Sequence, residues 1–115
     1  MALSIYHNPR CSKSRQALQL LRDHGTKPVI IEYLKEPPDA PTLAHLLETL
    51  GMEPRDLMRK KEKEYKALGL DNPELSRDEL VQAMVEHPRL IERPIVVSDG
   101  KAALGRPPEK VLDVL

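Results

Sequence analysis

An α/β fold, with a β-α-β half and a β-β-α half sharing one four-stranded mixed sheet, is what this sequence predicts. Three observations lead there. The chain opens with a short apolar stretch, a helical pattern and a β-branched run. It closes with two short strands joined by Asp99-Gly100, a strong hairpin signal, and a last apolar-periodic segment. Between them lies a stretch of helical periodicity with no strand signal,.

Ala2 to Tyr6 reads as the first strand. From Ser12 onward Ala17, Leu18, Leu20 and Leu21 recur at helical spacing, and Gly25 supplies a stop at C′,. Pro28-Val29-Ile30-Ile31-Glu32-Tyr33 is β-branched and predicts a second strand, parallel to the first through a right-handed crossover,. Glu36-Pro37-Pro38-Asp39-Ala40-Pro41 breaks this pattern. Leu43, Leu46, Leu47 and Leu50 then follow the i, i+3, i+4, i+7 rule, with Gly51 ending the helix,. Pro54 fits the first turn of a short helix toward Met58,. Arg59-Lys60-Lys61-Glu62-Lys63-Glu64 reads as a solvated charged face. Ser76 and Glu79 form a capping-box pair opening a helix with Leu80, Val81, Met84 and Val85 inward, and Pro88 stops it,. Pro94-Ile95-Val96-Val97 and Lys101-Ala102-Ala103-Leu104 are the antiparallel closing strands. Gly105-Arg106-Pro107-Pro108 introduces a terminal helix with Val111, Leu112 and Leu115 apolar. No repeat, low-complexity tract or linker divides the chain, so residues 1–115 are expected to form a single domain with a helical insertion at about 39–87.

Composition narrows the functional classes. The 115 residues carry 18 basic and 18 acidic side chains, so no global basic field draws the chain to nucleic acid or to an anionic membrane, and any anion site must be local,. Aromatics are only 3 %, with no Trp and no Phe, which removes the stacking platforms of single-strand binders,. The apolar runs fall short of a membrane span and the N-terminus lacks a secretory pattern,. With one cysteine there is no internal disulfide framework, which fits a reducing cytoplasm,. The expectation is a cytoplasmic protein with neither nucleic-acid nor membrane partners.

That cysteine, Cys11, stands where the first strand meets the first helix, in Tyr6-His7-Asn8-Pro9-Arg10-Cys11-Ser12-Lys13-Ser14-Arg15. Helix N-termini offer free N–H groups and the positive end of the macrodipole, and both favour thiolate, the nucleophilic form. Arg10, Lys13 and Arg15 add positive charge. A lone cysteine is commonly a small inert hydrophobe; here the junction and the cations favour sulfur chemistry on an anion. His7 and Cys11 alone do not make a zinc site, and His24, His45 and His87 lie in unrelated helical contexts. A phosphatase loop would need Arg at position 17, which is Ala17, and a dithiol switch would need Cys at position 14, which is Ser14.

His7-Asn8-Pro9-x-Cys11-x-x-Ser14-Arg15, together with Arg93-Pro94-Ile95-Val96-Val97 and Gly105-Arg106-Pro107, closely resembles the glutaredoxin-linked arsenate reductase family over essentially the whole chain. The resemblance implies a thioredoxin-like fold. It implies Cys11 as nucleophile, His7 as the group favouring its thiolate, and Ser14 as a hydrogen-bonding partner near the sulfur. Arg59, Arg93 and Arg106 match the oxyanion-handling arginines, with Asn8 beside them on the substrate side. Pro94 resembles the cis-proline that faces the active site in this fold. Arg10 and Lys13 make this loop more basic than in many relatives, which bears on anion preference and on glutathione carboxylates.

The implied chemistry is attack by Cys11 on arsenate, a covalent Cys11–arsenate adduct, attack by glutathione, and resolution by glutaredoxin to release arsenite. Guanidinium groups suit this because they stay charged and donate paired hydrogen bonds. An external thiol is needed because the chain has no second cysteine,. Glutathione is thus a co-substrate, and no tightly bound cofactor or metal is expected. Taken singly, Arg93 has the support of Pro94 fixing the backbone after it, Arg106 opens the last helix, and Arg59 sits in a charge run. Two other readings stay open: a glutathione-dependent thiol reductase or transferase without arsenate activity, and a non-catalytic regulatory binding module.

Overall fold

The computed structural model describes residues 3–115. They include four strands, β1 (Leu3–Tyr6), β2 (Val29–Ile31), β3 (Ile95–Ser98) and β4 (Lys101–Leu104), and four α-helices, α1 (Ser12–Asp23), α2 (Ala40–Leu50), α3 (Lys63–Ala67) and α4 (Arg77–Glu86). Short 3₁₀ segments cover Pro54–Leu57, Pro88–Leu90 and Pro108–Val114. Ala2, placed in the first strand by its sequence, lies outside the described residues. The chain forms two compact units, one of residues 1–36 and 93–115, the other of residues 37–92.

The first unit holds the sheet, in the order β2-β1-β3-β4. β1 runs parallel to β2, with Ile5 opposite Ile30. It runs antiparallel to β3, with Ile5 opposite Val96, and β3 runs antiparallel to β4. This is the mixed α/β sheet of a thioredoxin-like fold. The hairpin turn takes left-handed φ at both Asp99 (35°) and Gly100 (80°), as a two-residue turn between twisted strands requires,. α1 ends as expected: Gly25 adopts φ 82°, its N–H bonds the Arg22 carbonyl, and the Thr26 N–H bonds the Leu21 carbonyl,. Leu3, Ile5, Ala17, Leu18, Leu21, Val96, Val111 and Val114 form its core.

The last segment departs from its sequence reading. The helical reading marks Val111, Leu112 and Leu115 as its apolar positions, yet Leu115 is exposed and Val114 is buried. The segment is a 3₁₀ helix, whose three-residue turn stacks Pro108, Val111 and Val114 on one face,. β2 is also shorter than the apolar run that predicted it, at three residues.

In the second unit α4 packs against α2 and against the flanking 3₁₀ turns. Asp39 caps α2 by accepting from the Thr42 N–H, and Gly51 (φ 67°) ends it. The Ser76–Glu79 capping box is formed at both ends. α3 has no apolar periodicity and was hidden inside the charged run; none of its residues is buried. Among the described residues no helix is long and apolar enough to cross a membrane.

Candidate active site

The loop between β1 and α1 is built by its own polar atoms. The Cys11 N–H bonds the Asn8 carbonyl at 3.0 Å, closing a turn with Pro9 at the position where its fixed φ is favourable,. The Asn8 side-chain oxygen accepts the Arg10 N–H at 3.0 Å, an Asx turn. Arg15 reaches back from the first turn of α1 and donates from Nη1 to the Pro9 carbonyl at 2.9 Å. The result sets Cys11 at the N-cap of α1 with extended backbone angles, φ −93° and ψ 122°,.

A cysteine at an N-cap presents its sulfur to the N–H groups that open the helix. Burial alone would push the Cys11 thiol up. It is outweighed by the Ser14 backbone N–H, the Arg93 charge, the Lys13 backbone N–H and a hydrogen bond from the Arg93 side chain, so the thiol lies below its ordinary value,. Arg106 approaches as well, its Nη2 lying 3.8 Å from Sγ. The two arginines differ in setting. Arg93 is 9 % exposed, whereas Arg106 is exposed to solvent.

The arginines are tied to one another. Arg106 Nε donates to the Arg93 carbonyl at 3.0 Å, and the Gly105 N–H donates to the Pro94 carbonyl at 2.9 Å. The Arg93-Pro94 bond is cis, the geometry the resemblance implied for Pro94, and Arg106-Pro107 is cis as well.

His7 and Ser14 form a buried pair beneath the loop, with His7 Nδ1 2.6 Å from Ser14 Oγ. The same Oγ accepts the Asn8 N–H at 3.1 Å. The hydroxyl proton can go to His7 Nδ1 in the imidazole tautomer that carries its proton on Nε2. Burial is the main reason that the His7 pKa is lowered; the Glu32 carboxylate opposes it, while Arg22 and Arg15 reinforce it. His7 therefore acts on the loop through Ser14, whose own N–H serves the sulfur.

Six of the residues singled out in the sequence thus meet in the first unit: Cys11, His7, Asn8, Ser14, Arg93 and Arg106. Arg59 belongs to the second unit. There its Nη1 lies 3.5 Å from Glu62 and its Nε 3.8 Å from Glu92, and Arg89 shares Glu62. Sequence reasoning had counted Arg15 only as a positive charge and had not seen its brace on Pro9. Among the described residues there is no cluster of three or more His, Cys, Asp or Glu able to hold a metal ion.

Residues 6–114 match the sequence model of the ArsC family. The chain belongs to that family. It is 50 % identical over 98 % of its length to a Neisseria meningitidis protein named arsenate reductase, covering 97 % of it. It is 55 % identical to an Escherichia coli K12 protein named uncharacterized protein YfgD, over 98 % of this chain and 96 % of that one. The solved structure described as an arsenate reductase from Vibrio cholerae superposes with a TM-score of 0.97 at 52 % identity, covering 100 % of this chain and 98 % of that one. The chain thus shares sequence with all three, and fold with the Vibrio cholerae structure, along nearly its whole length.

Proposed function

We propose that this ArsC-family protein reduces arsenate to arsenite with glutathione and glutaredoxin as the source of electrons. The observation that carries the reading is the convergence of helix N–H groups and the guanidinium groups of Arg93 and Arg106 on the one sulfur, Cys11 Sγ. A thiolate approaching an oxyanion meets like charge; fixed cations and backbone dipoles aimed at the reacting centre offset it. The names of the full-length relatives support arsenate as the oxyanion.

In this reading Cys11 Sγ attacks arsenic, an As–O bond breaks, and the oxygen leaves as water after protonation. The product is a Cys11–arsenate thioester-like adduct. Glutathione then attacks arsenic and displaces a second oxygen as water; the glutaredoxin thiolate attacks the glutathione sulfur, the As–S electron pair stays on arsenic, and water releases arsenite from Cys11. The balance is two thiols oxidised to one disulfide and arsenic reduced from the pentavalent to the trivalent state. Cys11 is the nucleophile, Arg93 and Arg106 hold the oxyanion, Arg93 lowers the thiol pKa, and Ser14 and His7 keep the loop in place. Asn8 joins them on the substrate side, and Arg59 is the third arginine by family resemblance. The use of an outside thiol follows from the absence of a second cysteine and fits a reducing cytoplasm,.

The test is arsenate-dependent NADPH consumption in the presence of glutathione, glutaredoxin and glutathione reductase, run beside Cys11→Ser. Turnover that vanishes in the variant is the expected result. Absence of turnover in the wild type, with Cys11 still alkylated rapidly at neutral pH, would replace arsenate by another substrate of glutathione-dependent thiol chemistry.

A further inference from the structure

Gly105 follows β4 and precedes Arg106, and it does not owe its place to an unusual backbone angle, since it is not among the glycines with positive φ. Its constraint is space. A Cβ at this position would lie 2.7 Å from Pro94 Cγ, 3.2 Å from Pro94 Cδ and 3.0 Å from Val111 Cγ1. These neighbours cannot swing aside as a flexible side chain would: Pro94 is a closed ring in a buried segment, and Val111 is fully buried in the core,. The other four glycines have nothing within 4 Å of such an atom.

What this close approach holds together is the anion cradle. The Gly105 N–H bonds the Pro94 carbonyl, and the next residue, Arg106, bonds the Arg93 carbonyl through Nε. Two consecutive residues of one strand end are thereby clamped onto two consecutive residues of the other, and each pair contains one arginine that reaches Cys11. We propose that Gly105 is a positioning residue for the site: its missing side chain lets the Arg106 segment close onto Arg93-Pro94, and this contact sets both guanidinium groups against the Cys11 sulfur. The inference rests on the reading of Cys11 as the reactive thiol, though not on arsenate as its substrate.

The groups facing that sulfur are the Arg93 and Arg106 guanidiniums and the Ser14 and Lys13 N–H groups of α1. Only the arginine pair depends on the clamp, so loosening it leaves the helix contribution and removes part of the cationic one. In Gly105→Ala the alkylation of Cys11 by iodoacetamide is expected to titrate at higher pH. At pH 7 it should be slower by up to about threefold, the most that about half a pKa unit can take from the thiolate fraction. Val111→Ala is the reference, because it opens the same part of the core without adding an atom beside Pro94; its Cys11 should titrate as in the wild type. Gly105→Ala/Val111→Ala keeps the 2.7 Å conflict while relieving the one with Val111. It decides the matter where the single glycine variant does not fold, with titration above that of Val111→Ala expected. Identical Cys11 titration in the glycine variants and their references would overturn the proposal, and so would an equal shift in Val111→Ala alone. Because alkylation needs no arsenate, failure of the reductase assay and failure of this inference are separate results.

Discussion

Replacing each cradle arginine by methionine should raise the Cys11 pKa by unequal amounts, with the buried Arg93 acting more strongly than the exposed Arg106. Methionine keeps an unbranched stem and deletes the charge. For Arg106 the charge lies near the sulfur, with Nη2 at 3.8 Å from Sγ. At about that separation two unit charges interact by ~1 kcal/mol when water screens them and ~4 kcal/mol at an effective dielectric of ~20. Arg106 is solvent-exposed, so the lower figure applies; at 1.36 kcal/mol per pKa unit it corresponds to a rise of about 0.7 unit. Arg93 is 9 % exposed, supplies both a charge and a hydrogen bond to the sulfur, and works nearer the higher figure,. Its removal should therefore raise the pKa by about 2 units or more. The assay is the pH dependence of iodoacetamide alkylation, which reports one site because the chain has one cysteine. Salt supplies an internal check. The Arg106 contribution should shrink markedly toward 1 M ionic strength, where the Debye length is about 3 Å, and the Arg93 contribution should shrink less. An Arg106→Met shift equal to or larger than the Arg93→Met shift would refute this reasoning, as would a titration unmoved by both.

Two further outcomes follow from the buried pair beneath the loop. Ser14→Ala strips the partner from the Asn8 N–H and from His7 Nδ1; it should cost about 2 kcal/mol or more in urea unfolding, given ~1–3 kcal/mol for each buried group left unpaired, and a loss below half a kcal/mol would show that water replaces the hydroxyl. His7 has a folded pKa below its ordinary 6.5, so the unfolded chain takes up a proton first, and stability falls as pH drops below 6.5 toward the folded value. His7→Asn, which offers an amide oxygen near the place of Nδ1, should flatten that part of the stability–pH curve; parallel wild-type and variant curves between neutral pH and pH 5 would count against a buried neutral imidazole.

Much of the fold was legible because local chemistry and packing agree. The Asp99-Gly100 turn, the Ser76–Glu79 box and the glycine stops at 25 and 51 are each set by residues a few positions apart. What escaped depends on longer contacts. In the last segment Val111 serves both an α and a 3₁₀ reading, and only the neighbour chosen with it, Val114 or Leu115, separates them. The sequence pattern admits both; packing of Pro108 and Val111 against α1 and the sheet selects the tighter turn. α3 was hidden for the opposite reason: with no buried residue it has no apolar stripe to betray it. Gly105 is likewise invisible alone, since its constraint is a ring eleven positions earlier in the chain.

The nucleophile loop was the most readable part of the site, and the structure explains why. Several of the backbone polar groups that the turn exposes are answered from within a few residues. The Asn8 carbonyl takes the Cys11 N–H, the Asn8 N–H goes to Ser14 Oγ, and the Pro9 carbonyl takes Arg15. The Asn8 amide oxygen is engaged by the Arg10 N–H. That bond also fixes which end of the amide is which, because an N–H demands an oxygen. An oxyanion near Asn8 would accordingly be met by the amide nitrogen, a donor. In the proposed reading the residue would serve the turn and the anion with opposite ends of one side chain. Substitution by aspartate would keep the turn and place negative charge toward the substrate, and alanine would lose both contributions together. The loop holds its shape through its own residues; the charge that lowers its thiol pKa comes from Arg93, and Arg106 lies 3.8 Å from the sulfur, both far along the chain. That division explains why the motif could be read locally, while the convergence of Arg93 and Arg106 on Cys11 leaned on the resemblance.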